Sequence, residues 1–158
     1  MSITFSGREL LEIAIQMEKN GVAFYTTVAR NVTEHKAIEV INWLAQEENS
    51  HIKRFEEILS GFKDEELDMP PAELEEYTLY LKALADARVF PTELKAREEA
   101  IGIKSERDAI NLAIEFEKDS LLFLHAMKEM VPGEDVFAVE ELQREEMLHL
   151  KKLVALKG

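Results

Sequence analysis

The chain has 158 residues, 46% of them apolar and 32% charged, which is enough for one domain with a sizeable core. Nineteen Lys and Arg against 32 Asp and Glu leave a net charge of −13, which argues against nucleic acid and against an anionic membrane surface as partners, since both demand basic patches. There is no Cys, no long apolar run and no basic-then-apolar leader, so disulfides, thiol catalysis, iron–sulfur clusters and thiolate-held metals are excluded, no membrane anchor is expected, and the expected site of action is the cytoplasm.

Ser6-Gly7-Arg8-Glu9 is a capping box, and the apolar pattern that follows predicts a first helix running to about Val32. Thr33 is the expected cap of a second helix, from about Glu34 to Ser60, with Gly61 at its end. The stretch 62–104 reads as a long crossover with structure of its own. The acidic residues from Asp64 to Asp68 suit a solvated loop, and Pro70-Pro71 stops any helix. Residues 72–88 form a short amphipathic helix with Leu74, Tyr77, Leu81 and Leu84 on one side; Pro91 breaks it, and Gly102 ends a further helical piece. Ser105-Glu106-Arg107-Asp108 opens a third long helix reaching about Val131, Pro132-Gly133 turns the chain, and a fourth helix fills the remainder to about Leu156. Short loops within each pair and a long crossover between pairs predict an all-α four-helix bundle, built as two antiparallel hairpins in a single domain over residues 1–158.

The two hairpins repeat one another. Shifted by 99 positions, Ser6, Arg8, Ala14, Ile15, Glu18, Lys19 and Phe24 fall on Ser105, Arg107, Ala113, Ile114, Glu117, Lys118 and Phe123. Shifted by 98, Leu44, Glu47, Glu48, His51 and Lys53 fall on Leu142, Glu145, Glu146, His149 and Lys151. Helical patterning explains the matching apolar positions but does not require matching Glu and His.

Steps of three and four trace the faces that a bundle turns inward. The first helix gives Leu11, Ala14, Glu18, Gly21, Tyr25, Val28 and Val32, and the third gives Ile110, Ala113, Glu117, Ser120, Leu124, Met127 and Val131. The second gives Ala37, Ile41, Leu44, Glu48, His51, Phe55 and Ile58, and the fourth gives Val139, Leu142, Glu146, His149, Leu153 and Leu156. Four Glu and two His therefore occupy the middle layer of the expected core, with no Lys or Arg on these faces to neutralise them. A buried carboxylate costs several kcal/mol unless it is paired or metal-bound. Two cations would compensate four carboxylates, and Glu-x-x-His sets both side chains on one helical face. A lone Glu-x-x-His carries little weight in so Glu-rich a chain. Two of them at equivalent repeat positions, each opposite an equivalent Glu, point to a dinuclear metal site.

The remaining candidates read more plainly. His35 sits at an expected helix start and His125 has no Glu three before it, so both read as ordinary, and Trp43 and the Met residues at helical spacing belong to the core. Glu47 and Glu145 lie one residue off the inward face and read as solvated, with contact to a metal ligand as the alternative. Tyr25 lies seven residues after Glu18 on the same face. It either packs or serves as a catalytic group, giving a hydrogen bond or an electron near the metals.

With these residues in hand, the chain resembles the ferritin-like superfamily and, most closely, rubrerythrin-type di-iron domains. The matching words are Ala14-Ile15-Gln16-Met17-Glu18 followed by Phe24-Tyr25, then Glu47-Glu48-Asn49-Ser50-His51. They repeat as Ala113-Ile114-Glu115-Phe116-Glu117 and Glu145-Glu146-Met147-Leu148-His149. The resemblance implies two iron ions bridged by Glu48 and Glu146, with Glu18 and His51 completing one set of ligands and Glu117 and His149 the other. It also implies reaction with peroxide or dioxygen, leaving an oxo- or hydroxo-bridged diferric pair, an external electron donor, a role in oxidative-stress defence or iron handling, and a homo-oligomer such as a dimer. Manganese suits the same ligands. Two departures stand out: Ser120 occupies the place of an extra Glu found in rubrerythrins, and no Cys is present to hold a rubredoxin iron. A metal-storage module without turnover and a metal-free interaction bundle are the competing readings.

Overall fold

The computed structural model describes residues 6–63 and 69–157. Six α-helices run in chain order: α1 Gly7–Val28, α2 His35–Ser60, α3 Pro71–Asp86, α4 Glu93–Ile101, α5 Glu106–Met127 and α6 Gly133–Leu156, with a 3₁₀ turn at Lys128–Met130. α1 lies along α2 and α5 along α6, while α4 packs on α1 and α3 on α5. The molecule is an all-α ferritin-like bundle. Among the described residues no helix is long and apolar enough to cross a membrane. The acidic stretch from Asp64 to Asp68 lies outside the described residues.

The repeat is visible in how the hairpins start. Ser6 Oγ accepts the Glu9 N–H and Ser105 Oγ the Asp108 N–H, both at 3.1 Å. Three boundaries differ from expectation, one of them the end of α5, which gives way to the 3₁₀ turn after Met127 rather than reaching Val131. α1 ends at Val28, four residues early, and α2 is capped by Glu34, whose carboxylate accepts the N–H groups of Lys36 and Ala37. Thr33 does not cap; its N–H and hydroxyl both donate to Glu106 Oε1, at 2.7 and 3.0 Å, and the Glu34 N–H joins them at 2.8 Å. A carboxylate at the start of α5 thus ties down the α1–α2 loop, and these donors hold its pKa below the usual range.

The crossover is stitched to both hairpins by another repeat-related pair. Asn20 on α1 donates to the Phe90 carbonyl at 2.8 Å, and Asp119 on α5 accepts the Val89 N–H at 2.8 Å. Phe90 then stacks on Phe24 with centroids 4.6 Å apart and lies 5.6 Å from Phe116, while Ala96 and Ala100 of α4 are fully buried. Small residues let this short helix seat closely. The same crowding explains Gly21: a Cβ there would stand 2.4 Å from Phe116 Cζ. Gly21→Ala is expected to destabilise the chain by about 1–3 kcal/mol in chemical denaturation, because the overpacking cost exceeds the helix-propensity gain of about 1 kcal/mol.

The inward faces read from the sequence are buried throughout, with only Ile58 and Leu156 half-buried. The apolar core divides into two clusters. One gathers Phe24, Tyr25, Leu44 and Phe116, and the other Leu10, Phe55, Phe123 and Leu142. The polar layer lies between them. Two core assignments need correction: Met147 is 49% exposed, because its position on α6 faces solvent, and Trp43 is only half-buried at the bundle surface.

Candidate metal centre

Each long helix contributes from its middle turns. α1 supplies Glu18, α5 Glu117, α2 Glu48 and His51, and α6 Glu146 and His149. All six residues are at most 2% exposed. All six converge, forming two tetrads: Glu18, Glu48, His51 and Glu146, and Glu48, Glu117, Glu146 and His149. Within each, the donor atoms lie within 4.8 Å of one another. Donors around one first-row ion at about 2.1 Å stand at most about 4.2 Å apart, so a contraction of a few tenths of an ångström closes either tetrad on an ion. Glu48 and Glu146 belong to both.

The histidines have matching orientations. His51 turns Nδ1 inward, 2.9 Å from Glu146, 3.3 Å from Glu48 and 3.6 Å from Glu18. His149 Nδ1 stands 3.2, 3.4 and 3.3 Å from Glu48, Glu117 and Glu146. The two imidazoles stack with centroids 5.1 Å apart and planes 9° from parallel. Although His149 Nδ1 sits among three carboxylates, it is aligned with none of them as a hydrogen bond; both Glu48 oxygens, Glu18 Oε2, Glu117 Oε2 and Glu146 Oε2 are likewise without partners. Buried acceptors aimed at a common space without donors cost stability as they stand. The donor set, carboxylate oxygen and imidazole nitrogen, suits a pair of first-row divalent ions, and the cluster fits a metal site.

Without metal, protons do the neutralising. Burial disfavours imidazolium, but the surrounding carboxylates prevail, by hydrogen bond and charge at His51 and by close approach and charge at His149, raising His51 to about 11 and His149 to about 12. Burial, reinforced by the Glu146 charge, raises Glu117 to about 8, and burial with the Glu117 charge also raises Glu48. Glu146 moves the other way: burial and the Glu48 charge push it up, but the close approach of Glu117 and the two imidazoles, His51 by a hydrogen bond at 2.9 Å, holds it down.

Tyr25 is fully buried, and its hydroxyl donates to Glu117 Oε1 at 2.6 Å. Burial, then the Glu117 charge, pushes its pKa well above the ordinary value, so it keeps its proton. Phe24, at 5.5 Å, and Phe116, at 6.0 Å, hold the ring edge-on. His35 lies on the surface, 3.1 Å from Glu39, and His125 is exposed in the last turn of α5, so neither joins the cluster.

The reading of Glu47 and Glu145 as merely solvated is corrected. Glu145 Oε2 lies 3.0 Å from His51 Nε2, and Glu47 Oε2 lies 3.8 Å from His149 Nε2. Both are part-exposed, yet each reaches across to the histidine of the other hairpin. Asn20, Asp119 and Glu106 were missed altogether. A polar residue opposite its repeat equivalent was the available signal for the first two.

Ser120 is buried with an unpartnered hydroxyl, so this position brings no additional carboxylate. No curated protein and no solved structure matches in comparison with the chain. The family model described as Rubrerythrin matches residues 9–157. That span covers both hairpins and every residue of the buried Glu/His layer, and the chain belongs to the rubrerythrin family.

Proposed function

We propose that the chain is a non-haem di-iron carboxylate protein that reacts with peroxide or dioxygen, in oxidative-stress defence or iron handling. The observation that carries this reading is the pair of buried tetrads sharing Glu48 and Glu146. Glu48 and Glu146, common to both tetrads, would be shared by the two ions, with Glu18 and His51 holding one and Glu117 and His149 the other. Bound iron would supply two one-electron donors and Lewis acidity for the oxygen substrate.

The chain's own residues set the conditions. Two apolar clusters above and below the layer exclude bulk water, which strengthens every charge interaction within it. His51 and His149 surrender their protons when cations enter. Tyr25 holds a proton 2.6 Å from Glu117 Oε1, where it orients that carboxylate and is placed to donate toward a reacting oxygen. Re-reduction of the iron would draw on an external donor, since these residues include no Cys to hold an electron-transfer iron centre.

The test is stopped-flow mixing of the anaerobically Fe(II)-loaded chain with hydrogen peroxide or dioxygen, with and without a reductant. Rapid oxidation that repeats when reductant is supplied supports the enzyme. A single slow oxidation would leave a storage module instead. Tyr25→Phe is expected to keep about two metal ions per chain while slowing oxidation by about tenfold or more, the scale of a lost proton donor. An unchanged rate would reduce Tyr25 to packing.

A further inference from the structure

The two halves of the centre are related by the repeat, but their surroundings are not the same. The differences fall at four pairs of equivalent positions. On the His51 side, Glu145 Oε2 takes the outer nitrogen at 3.0 Å, and Arg54 Nη1 donates to that same oxygen. Arg54 Nη2 also reaches Glu141 Oε2 at 3.4 Å. On the His149 side, Glu47 stands off at 3.8 Å. Lys152, in the place of Arg54, lies instead 4.9 Å over the ring of Trp43, which stands in the place of Glu141. Trp43 meets His149 edge-on at 5.2 Å. His51 is therefore clamped by a carboxylate that is itself clamped, and His149 is backed by an indole edge and a distant carboxylate.

The terminal carboxylates differ in the same sense. Glu117 has one oxygen engaged by the Tyr25 hydroxyl at 2.6 Å, which draws charge away from it. The residue equivalent to Tyr25 is Leu124, which has no hydroxyl to donate to Glu18. A carboxylate on the outer N–H of a ligating imidazole fixes its tautomer and orientation and raises its basicity. A donor on a ligating carboxylate does the reverse. Both effects favour the Glu18/His51 half.

We infer that the two halves are inequivalent: the Glu18/His51 half takes the first divalent ion, and Glu145, held by Arg54, is the positioning residue that makes it the tighter site. This rests on the dinuclear reading above and adds an order of filling to it. In that order, the Glu117/His149 half is the exchangeable one.

The test is titration of the metal-free full chain with Co(II), followed by calorimetry and by visible absorption. The parent is expected to bind two ions in two steps whose affinities differ by about tenfold or more, on the scale of supporting-contact effects. Glu145→Gln should weaken the first step by about 10- to 100-fold and alter the absorption of the first equivalent, with the second step little changed. Arg54→Gln should shift the first step in the same direction by less. Glu47→Gln should change the second step by under about threefold, since a contact at 3.8 Å is beyond hydrogen-bond range. Two ions bound with one affinity in the parent, or equal losses in Glu145→Gln and Glu47→Gln, would overturn the inequivalence alone. No Co(II) uptake by the parent would overturn the dinuclear reading with it.

Discussion

Glu48→Gln is expected to reduce the metal content from about two ions per chain to fewer than about one, while leaving the metal-free fold at least as stable as the parent. Glu48 belongs to both tetrads, so replacing its carboxylate by an amide weakens both halves together. The amide keeps the volume and removes the charge. In the metal-free fold that charge is unfavourable: burial and the neighbouring Glu117 raise the Glu48 pKa, against the pull of both histidines, and neither oxygen has an aligned donor. Loss of a costly buried charge gives stability while function is lost, which separates a binding site from a structural polar layer. Elemental analysis of the loaded variant and chemical denaturation of its metal-free form check the two halves of the expectation. Retained metal with unchanged stability would speak for a structural layer.

Loading the parent with divalent metal is expected to raise Tm by about 15–30 °C. At a thousandfold excess over Kd each site contributes about 4 kcal/mol, and a domain of this size gains about 2–4 °C per kcal/mol. The size of the gain depends on pH, and its sign follows from the protons. In the metal-free fold His51 and His149 sit at about 11 and about 12, above the unfolded imidazole value near 6.5. Their contribution to the metal-free fold is complete below about 6.5 and is lost as pH rises toward those folded values. Glu117, raised to about 8, loses its contribution between about 4.5 and 8, also as pH rises. Glu146 is lowered and runs oppositely, its contribution present above about 4.5. Through neutrality the imidazoles and Glu117 dominate. Metal ions must displace these protons, so about two to three should be released per chain near pH 7, and the Tm gap between loaded and metal-free forms should widen from pH 6 to 8. Calorimetry in buffers of different ionisation enthalpy counts the protons. A gap that narrows with rising pH would contradict the protonation scheme.

The four inward faces and the six converging residues were legible because helical periodicity and burial follow one rule. Glu18 and Glu117 stood out only against apolar neighbours, and the repeat turned two weak Glu-x-x-His matches into one strong pattern. The outer partners of the histidines were harder. Glu47 and Glu145 lie about 100° round the helix from their neighbours on the inward face, and whether such a residue meets water or a facing helix depends on how α2 and α6 pack. Thr33 looked like a cap on local grounds, but Glu106, 73 positions away, claimed its N–H and hydroxyl, and Glu34 capped α2 instead. Asn20 and Asp119 were hidden for a similar reason, since their partners are backbone groups of the crossover, which no side-chain pattern announces.

We propose that the buried layer holds two metal ions. The most direct test is to equilibrate the metal-free chain anaerobically with Fe(II), remove free metal and count iron atoms per chain by elemental analysis. Two tetrads sharing Glu48 and Glu146 predict about two atoms per chain. A value near zero would contradict a dinuclear site and leave four Glu and two His as a proton-neutralised structural layer.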